Sequence, residues 1–107
     1  MASFRMTQIT ALVLRAVAAG HRHGFDVMEA CGLPSGTAYP ALRRLERARL
    51  LKSRWEDAAA AQAAGRPRRR TYELTGEGRR ALAEAEEKLA EVRRLLEDLP
   101  PVRVRGG

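Results

Sequence analysis

The sequence predicts a mainly α-helical fold with one small β-hairpin. Apolar residues recur at helical spacing in four segments and alternate at strand spacing in two others. The 107 residues suffice for one modest core and are too few for two. Since 45% of the residues are hydrophobic and only 5% aromatic, the core must be built mainly from Leu, Val, Ile and Ala.

Two short helices are predicted at the start of the chain. The first covers 7–19 and ends at Gly20, with one buried stripe formed by Ile9, Leu12, Val13, Ala16 and Val17. Leu14 lies off this stripe, so we expect the helix to meet apolar neighbours on a second side. The second helix follows His23 and ends at Gly32, with inward side chains at Phe25, Met28 and Cys31.

A third helix is predicted after the turn at 34–37, with Ser35 as its N-cap. One face is apolar and is expected to be buried, with Tyr39, Leu42 and Leu45. The opposite face carries small residues followed by arginines: Gly36, Thr37, Pro40, Arg43, Arg44 and Arg47. Because proline forfeits a helical hydrogen bond, we expect an irregular first turn around Pro40.

Two strands are predicted over 50–56 and 70–75, with Tyr72 and Leu74 facing the core. They should pair as a hairpin. The connection over 57–69 is too long for a tight turn. Its alanine-rich part, 57–65, is compatible with a frayed helical turn or with a mobile loop, and its second part forms a basic tip over 65–69.

The last predicted helix covers 76–99, with Thr75 as its cap and a proline pair after it. Its apolar residues alternate spacings of three and four, as in a coiled-coil seam: Leu82, Ala85, Leu89, Val92, Leu96 and Leu99. A helix of this length, about 36 Å, extends beyond what so small a domain can cover. We therefore predict a dimerisation helix that partly packs on its own first helix, followed by a disordered tail over 100–107.

Positive charge is concentrated in one region of the chain. The net charge is +7, and residues 43–80 hold 12 Lys and Arg against 5 Asp and Glu. This surplus indicates a polyanionic partner, a nucleic acid or an acidic membrane surface. A basic helix followed by a basic hairpin favours DNA, because a helix fits the major groove while the hairpin reaches the backbone or minor groove. The alternative is a solvated basic face on a winged-helix module that binds other proteins.

Several segments resemble the PadR family of bacterial winged helix-turn-helix regulators. The most specific is Ser35-Gly36-Thr37-Ala38-Tyr39-Pro40, which lies within the similar segment 32–46. The similarity extends over about 7–82, and its other segments are 23–25, 50–51, 55–56, 65–69 and 72–78. A single C-terminal helix is similar to the family's short subgroup. Arg49 stands where members often have glycine, so we expect either strain at this corner or a contribution of the extra charge to DNA contact.

The resemblance implies a winged helix-turn-helix over 1–75 that binds operator DNA as a homodimer, usually as a repressor. In some members a small aromatic or drug-like ligand releases the DNA, so an effector of unidentified structure is an expected optional partner. The DNA-binding residues would be Ser35, Gly36, Thr37, Tyr39, Pro40, Arg43, Arg44 and Arg47 in the third helix, and Arg66, Arg68, Arg69 and Arg70 in the wing. Tyr39 would approach the DNA backbone, and a half-buried tyrosine with its hydroxyl at the surface would satisfy both this role and its place on the apolar face.

Other function classes are disfavoured. The motifs of a nucleophile elbow, a phosphate loop or paired catalytic carboxylates are missing from the sequence, and no cofactor is expected. His21, His23 and Cys31 lack a suitably spaced fourth metal ligand. The lone cysteine, the interruption of the apolar run 9–14 by Arg15 and the lack of an 18-residue apolar stretch predict a cytoplasmic protein with no membrane partner. The family resemblance implies that it is associated with the bacterial nucleoid when bound to DNA.

Overall fold

The computed structural model describes residues 4–102. They form five helices and a two-stranded sheet, in the order α1 Gln8–Ala18, α2 Gly24–Cys31, α3 Ser35–Arg47, β1 Leu51–Trp55, α4 Ala58–Ala63, β2 Arg70–Leu74 and α5 Gly76–Asp98. The predicted fold class, mainly α with a small hairpin in a winged helix-turn-helix arrangement, is confirmed. The alanine-rich part of the wing connection is helical and contains α4, whose Ala61 is buried.

Threonine hydroxyls begin the first and last helices. Thr7 accepts from the backbone N–H of Thr10 at 3.1 Å and its own N–H donates to Thr10 Oγ1 at 2.8 Å, a reciprocal cap. Thr75 accepts from the N–H of Gly78 at 3.0 Å. The prediction of Ser35 as an N-cap is wrong. Pro34 occupies that position and Ser35 is the first helical residue, because the backbone turns at the φ that proline already favours.

The first four helices end in one recurring motif. A residue with positive φ follows the last turn and its successor donates back to the carbonyl five residues earlier, as Leu50 N–H does to Leu45 O at 2.9 Å. The positive-φ residue is Gly20, Gly32 or Gly65 in three cases and Arg49, with φ of 64°, in the fourth. The strain expected at Arg49 is therefore observed.

The core lies where α1, α3 and the hairpin meet. Its fully enclosed residues include Val13, Leu14, Val27, Leu42, Leu45 and Leu51. Two predicted core positions are wrong, since Leu12 and Phe25 are 43% and 59% exposed. Tyr39, predicted both on the buried face and at the DNA surface, is 38% exposed. Helix α1 contacts α2, α3, β2 and α5, and these neighbours together enclose Leu14 and leave Leu12 exposed. In α2 the buried apolar residue is Val27.

The strands pair antiparallel, with Leu51 opposite Leu74 and Trp55 opposite Arg70. Tyr72 and Leu74 face the core as predicted. The segment before α2 adds to the sheet, because Tyr72 N–H donates to Arg22 O at 2.8 Å and His23 bridges Thr71. This third edge fixes the hairpin against the start of α2.

The last helix divides into two parts. Leu82 and Ala85 are buried on the domain, and Arg15 of α1 pairs with Glu86 at 3.4 Å. Beyond Ala85 every residue of α5 is exposed. The radius of gyration, 18.5 Å, exceeds the roughly 13 Å typical of a compact chain of this size, because this part of α5 projects from the domain. Of the predicted disordered tail over 100–107, residues 103–107 lie outside the described part, and 100–102 have no regular structure.

Candidate nucleic-acid interface

Helix α3 separates an apolar face from a polar one. Ala38, Ala41, Leu42 and Leu45 are buried, whereas Ser35, Gly36, Arg43, Arg44 and Arg47 are exposed and Thr37 and Pro40 are half-buried. The helix is continuous from Ser35, so the expected irregularity around Pro40 is not observed. At the start both Thr37 N–H and Ala38 N–H donate to Pro34 O at 3.0 Å, which closes the first turn.

Tyr39 lies between the predicted faces. Its ring rests on Gly24 at the start of α2, where an added Cβ would come within 2.5 Å of Tyr39 Cε1. A side chain at position 24 would therefore displace the ring from this position. Gly24 contributes to the placement of Tyr39 and was not predicted as a site residue. The sequence contained one signal for this contact. Gly24 is the first residue of α2 and does not have positive φ, so the backbone conformation there does not require glycine.

The wing is held together around Glu56, directly after β1. Glu56 forms a two-pronged ion pair with Arg66, in which Arg66 Nη2 donates to Oε2 at 2.6 Å and Nη1 donates to Oε1. Hydrogen bonding from Arg66 lowers the pKa of Glu56 to about 2, and the same bond raises the pKa of Arg66. Sequence reasoning missed Glu56. Its signal was an acidic residue at a strand end within a basic segment.

The guanidinium groups of two wing arginines lie over the Trp55 ring. The guanidinium carbons of Arg68 and Arg70 lie 5.9 and 5.3 Å from its ring centroid, within the range of cation–π attraction. Arg68 Nε also donates to Glu56 O at 2.8 Å. Arg70 Nη2 lies 3.8 Å from Glu46 Oε2 on α3, which connects the wing to this helix.

A cleft of about 360 Å³ joins α3 to the wing. Arg43 from α3 and Arg68, Arg69 and Arg70 from the wing line it, together with Trp55 and Tyr39. The two basic segments predicted from the sequence thus meet on one face of the domain. Arg44, Arg47 and Arg66 do not line the cleft.

The predicted dimer seam lies on α5. Leu82 and Ala85 are already buried against their own domain, whereas the next four seam residues are 48–65% exposed: Leu89, Val92, Leu96 and Leu99. Leu95, outside the predicted seam, is exposed beside them. The seam is therefore unpartnered over its second half.

Residues 4–102 contain no group of three His, Cys, Asp or Glu side chains arranged to hold a metal ion. His23 Nδ1 lies 3.3 Å from Arg70 O, and burial raises the pKa of the Cys31 thiol. In the same range no helix is long and apolar enough to cross a membrane.

Comparison with known families identifies the arrangement. The profile of the transcriptional regulator PadR-like family matches residues 13–84, most of the chain. The chain belongs to this family. PadR-like proteins are transcriptional regulators and not enzymes, which agrees with the predicted function class.

Solved structures share the PadR-like fold. A PadR family regulator from Clostridium difficile is 25% identical with a TM-score of 0.75, over 85% of this chain and 96% of that one. A PadR-like regulator from Bacillus cereus is 17% identical with a TM-score of 0.73, over 89% and 93%.

The regulator PcaV from Streptomyces coelicolor, solved with its natural ligand, is 27% identical with a TM-score of 0.73, over 89% of this chain and 64% of that one. The search of curated proteins gave no match.

Proposed function

We propose that this PadR-like regulator binds operator DNA as a homodimer and acts as a repressor. Helix α3 enters the major groove, and the wing contacts the backbone or minor groove. The observation that carries the proposal is the cleft in which Arg43 of α3 meets Arg68, Arg69 and Arg70 of the wing. Four guanidinium groups on one exposed face suit a phosphate backbone, which attracts them with little dependence on base sequence.

The exposed face of α3 suits close contact with a groove. An added Cβ on Gly36 would meet no atom of the domain within 4 Å, so the fold itself does not require glycine there. A small residue at the start of the helix lets a partner approach the backbone N–H groups, which attract phosphate. Farther along, Arg43, Arg44 and Arg47 can pair with phosphates or bind guanine edges.

The dimer in this proposal forms through α5. Its exposed residues Leu89, Val92 and Leu96, followed by Leu99 at the C-cap, continue the stripe whose first members are buried in the domain. Pairing with a second copy removes these side chains from water. The proposed division of the chain is therefore a DNA-binding unit over 1–75 and a dimerisation helix over 76–99.

Salt dependence of DNA affinity tests the DNA-binding function. A dimer that neutralises about eight phosphates should give a slope near −7 in log affinity against log salt. DNA selected from random sequences provides the operator. A slope near zero would favour the alternative, a winged-helix module that binds other proteins.

Substitutions test the proposed surface. Arg43→Ala should cost about 1–3 kcal/mol if Arg43 reads a base, and should relax the preference at one operator position. Arg68→Ala and Arg69→Ala should weaken binding to all sequences alike. Arg93→Ala on α5 removes the same charge away from the cleft and serves as the control. Equal affinities for all four variants would refute this surface.

Repression and effector response complete the proposal. Repression is the action that the family resemblance implies, and a reporter gene behind the selected operator tests its sign. Such a regulator works in the cytoplasm, on the nucleoid. PcaV has a natural ligand, and a small-molecule effector would be detected here by the fluorescence of Trp55, the only tryptophan of the chain.

A further inference from the structure

We propose that Glu56 is the positioning residue of the wing. Its carboxylate holds Arg66, and through Arg66 it orders the wing tip so that Arg68 and Arg69 are presented to the DNA backbone. This inference rests on the proposed DNA-binding function. It assigns Arg66 a structural role in place of the DNA contact predicted from the sequence, and it assigns an acidic residue a favourable role in binding a polyanion.

The Glu56–Arg66 pair differs from the other ion pairs of the domain in geometry and burial. Both carboxylate oxygens are bound by one guanidinium, and the two side chains are only 18% and 29% exposed. By comparison, Arg15 and Glu86 are 65% and 49% exposed and joined by one contact at 3.4 Å. Two-pronged, partly shielded pairs are the ion pairs that hold a fixed geometry, whereas exposed single contacts contribute little.

The pair closes the excursion of the chain between the two strands. Glu56 follows β1, and Arg66 follows α4, whose last turn it joins by donating its N–H to Ala61 O at 3.2 Å. The backbone of Glu56 holds the returning strand as well. Its N–H donates to Arg69 O at 2.8 Å and its carbonyl accepts from Arg68 Nε at 2.8 Å. Glu56 therefore contacts both the segment that follows α4, through Arg66, and the returning strand, through Arg68 and Arg69.

The remaining wing arginines are only loosely engaged by acidic groups. Arg69 lies 4.0 Å from Glu56 and is 44% exposed, and Arg68 is exposed on the face of Trp55. Because Arg66 satisfies both oxygens of Glu56, the carboxylate does not compete strongly for these two guanidinium groups. The arrangement leaves them available to phosphate in a wing whose shape is already ordered, which lowers the entropy lost on binding.

The experiment compares Glu56→Gln, Arg66→Met and the double variant with the control Asp57→Asn. Asp57 is the adjacent exposed acid, and its side chain forms no capping bond with α4. Glu56→Gln and Arg66→Met should each weaken operator binding by about tenfold, although Glu56→Gln makes the net charge more positive and Arg66→Met makes it less positive. Asp57→Asn should equal or slightly exceed the parent. The double variant should bind no worse than Arg66→Met alone, since the two residues act as one unit.

The salt slope distinguishes positioning from general loss of structure. Two lost phosphate contacts on each of two wings should reduce the slope by about 3 to 4. A smaller folded fraction lowers the active concentration and leaves the slope unchanged. Quenching of Trp55 fluorescence by iodide should also increase in both Glu56→Gln and Arg66→Met, with or without DNA, because Arg68 leaves the face of the ring.

Two results would overturn the inference. If Glu56→Gln binds DNA more tightly, as Asp57→Asn does, the carboxylate is only a repulsive charge. If Arg66→Met weakens binding while Glu56→Gln leaves it unchanged, Arg66 is a direct DNA contact. Should the parent bind no DNA, the proposed function fails, and the fluorescence of Trp55 still reports whether Glu56 orders the wing.

Discussion

Single residues at the end of α3 and the start of α5 fix the last helix against the segment that leads into the hairpin. Thr75 donates to Arg49 O at 2.7 Å, and its N–H donates to Leu50 O at 3.1 Å. Gly78, one turn into α5, lies so close to Leu50 that an added Cβ would come within 2.0 Å of Leu50 O. The start of α5 is thus fixed directly against the backbone that leads into β1.

The close approach predicts a large difference between two glycines of the same helical turn. Gly78→Ala should destabilise the protein by about 3 kcal/mol, because a backbone carbonyl cannot move aside as a flexible side chain can. Gly76→Ala meets only Arg80 Nη1, at 3.8 Å, and should be neutral or stabilising by up to about 1 kcal/mol. Urea unfolding measures both, and equal stabilities would contradict this close packing.

At Arg49, next to Leu50, a substitution should have the opposite effect on stability to Gly78→Ala. A non-glycine residue in the left-handed region is strained by about 1 kcal/mol, and the other three helices with this ending have glycine there. Arg49→Gly should therefore raise the free energy of unfolding by up to about 1 kcal/mol. Gly32→Arg provides the matched reverse change and should lower it. If Arg49→Gly lowers the stability, the arginine side chain contributes more than the strain costs.

At the scale of elements, the wing contains the Glu56–Arg66 ion pair, and α3 contacts α2 through the packing of Tyr39 on Gly24. The tie between the wing and α3 is the contact of Arg70 with Glu46 and the stacking of Arg70 on Trp55. Tyr39, held on Gly24, closes the other side of the cleft. The orientation of α3 relative to the wing therefore rests on side chains of both.

The low pKa of Glu56 predicts when the wing loosens in acid. A carboxyl whose pKa falls from 4.5 to about 2 on folding stabilises the wing fully above pH 4.5 and progressively less as the pH decreases towards 2. Between pH 8 and 5 the fluorescence of Trp55 should show no transition from this group. Below pH 4.5 it should change in the parent and not in Glu56→Gln. A transition of equal size in both proteins would assign it to another group.

At the scale of the whole molecule, the proposed function gives α5 the task of joining two copies of the chain. Leu82 and Ala85 are buried against their own domain, and the apolar residues beyond them are exposed. A charge placed within the seam would be desolvated without a partner, at a cost of several kcal/mol.

Leu89→Glu should therefore produce monomers whose domain still folds, because Leu89 is not part of the core. Each monomer would cover one half-site and lose the gain from tethering, which reaches about 10²–10⁴-fold in operator affinity. Sedimentation and an operator titration measure the two effects. Ala90→Glu adds the same charge outside the seam and should remain dimeric. A Leu89→Glu dimer, or a monomer that binds as tightly as the parent, would refute the role of α5.

The sequence by itself determined the order of elements and the location of the charge. Helical and strand periodicities, the cap at Thr75 and the glycines at helix ends are local signals, since they depend on residues within a few positions of each other. The basic surplus over 43–80 is likewise a property of the chain. Together they predicted the fold class and both basic segments.

Only the tertiary structure decided which of those residues face the core and which arginines form ion pairs within the domain. Leu12 and Phe25 are exposed because the buried arcs of α1 and α2 depend on which neighbours surround each helix, and periodicity alone places a stripe without orienting it. Arg66 was indistinguishable in sequence from Arg68 and Arg69. It pairs with Glu56 because the excursion through α4 brings residues ten positions apart into contact, a long-range closure that no local pattern encodes.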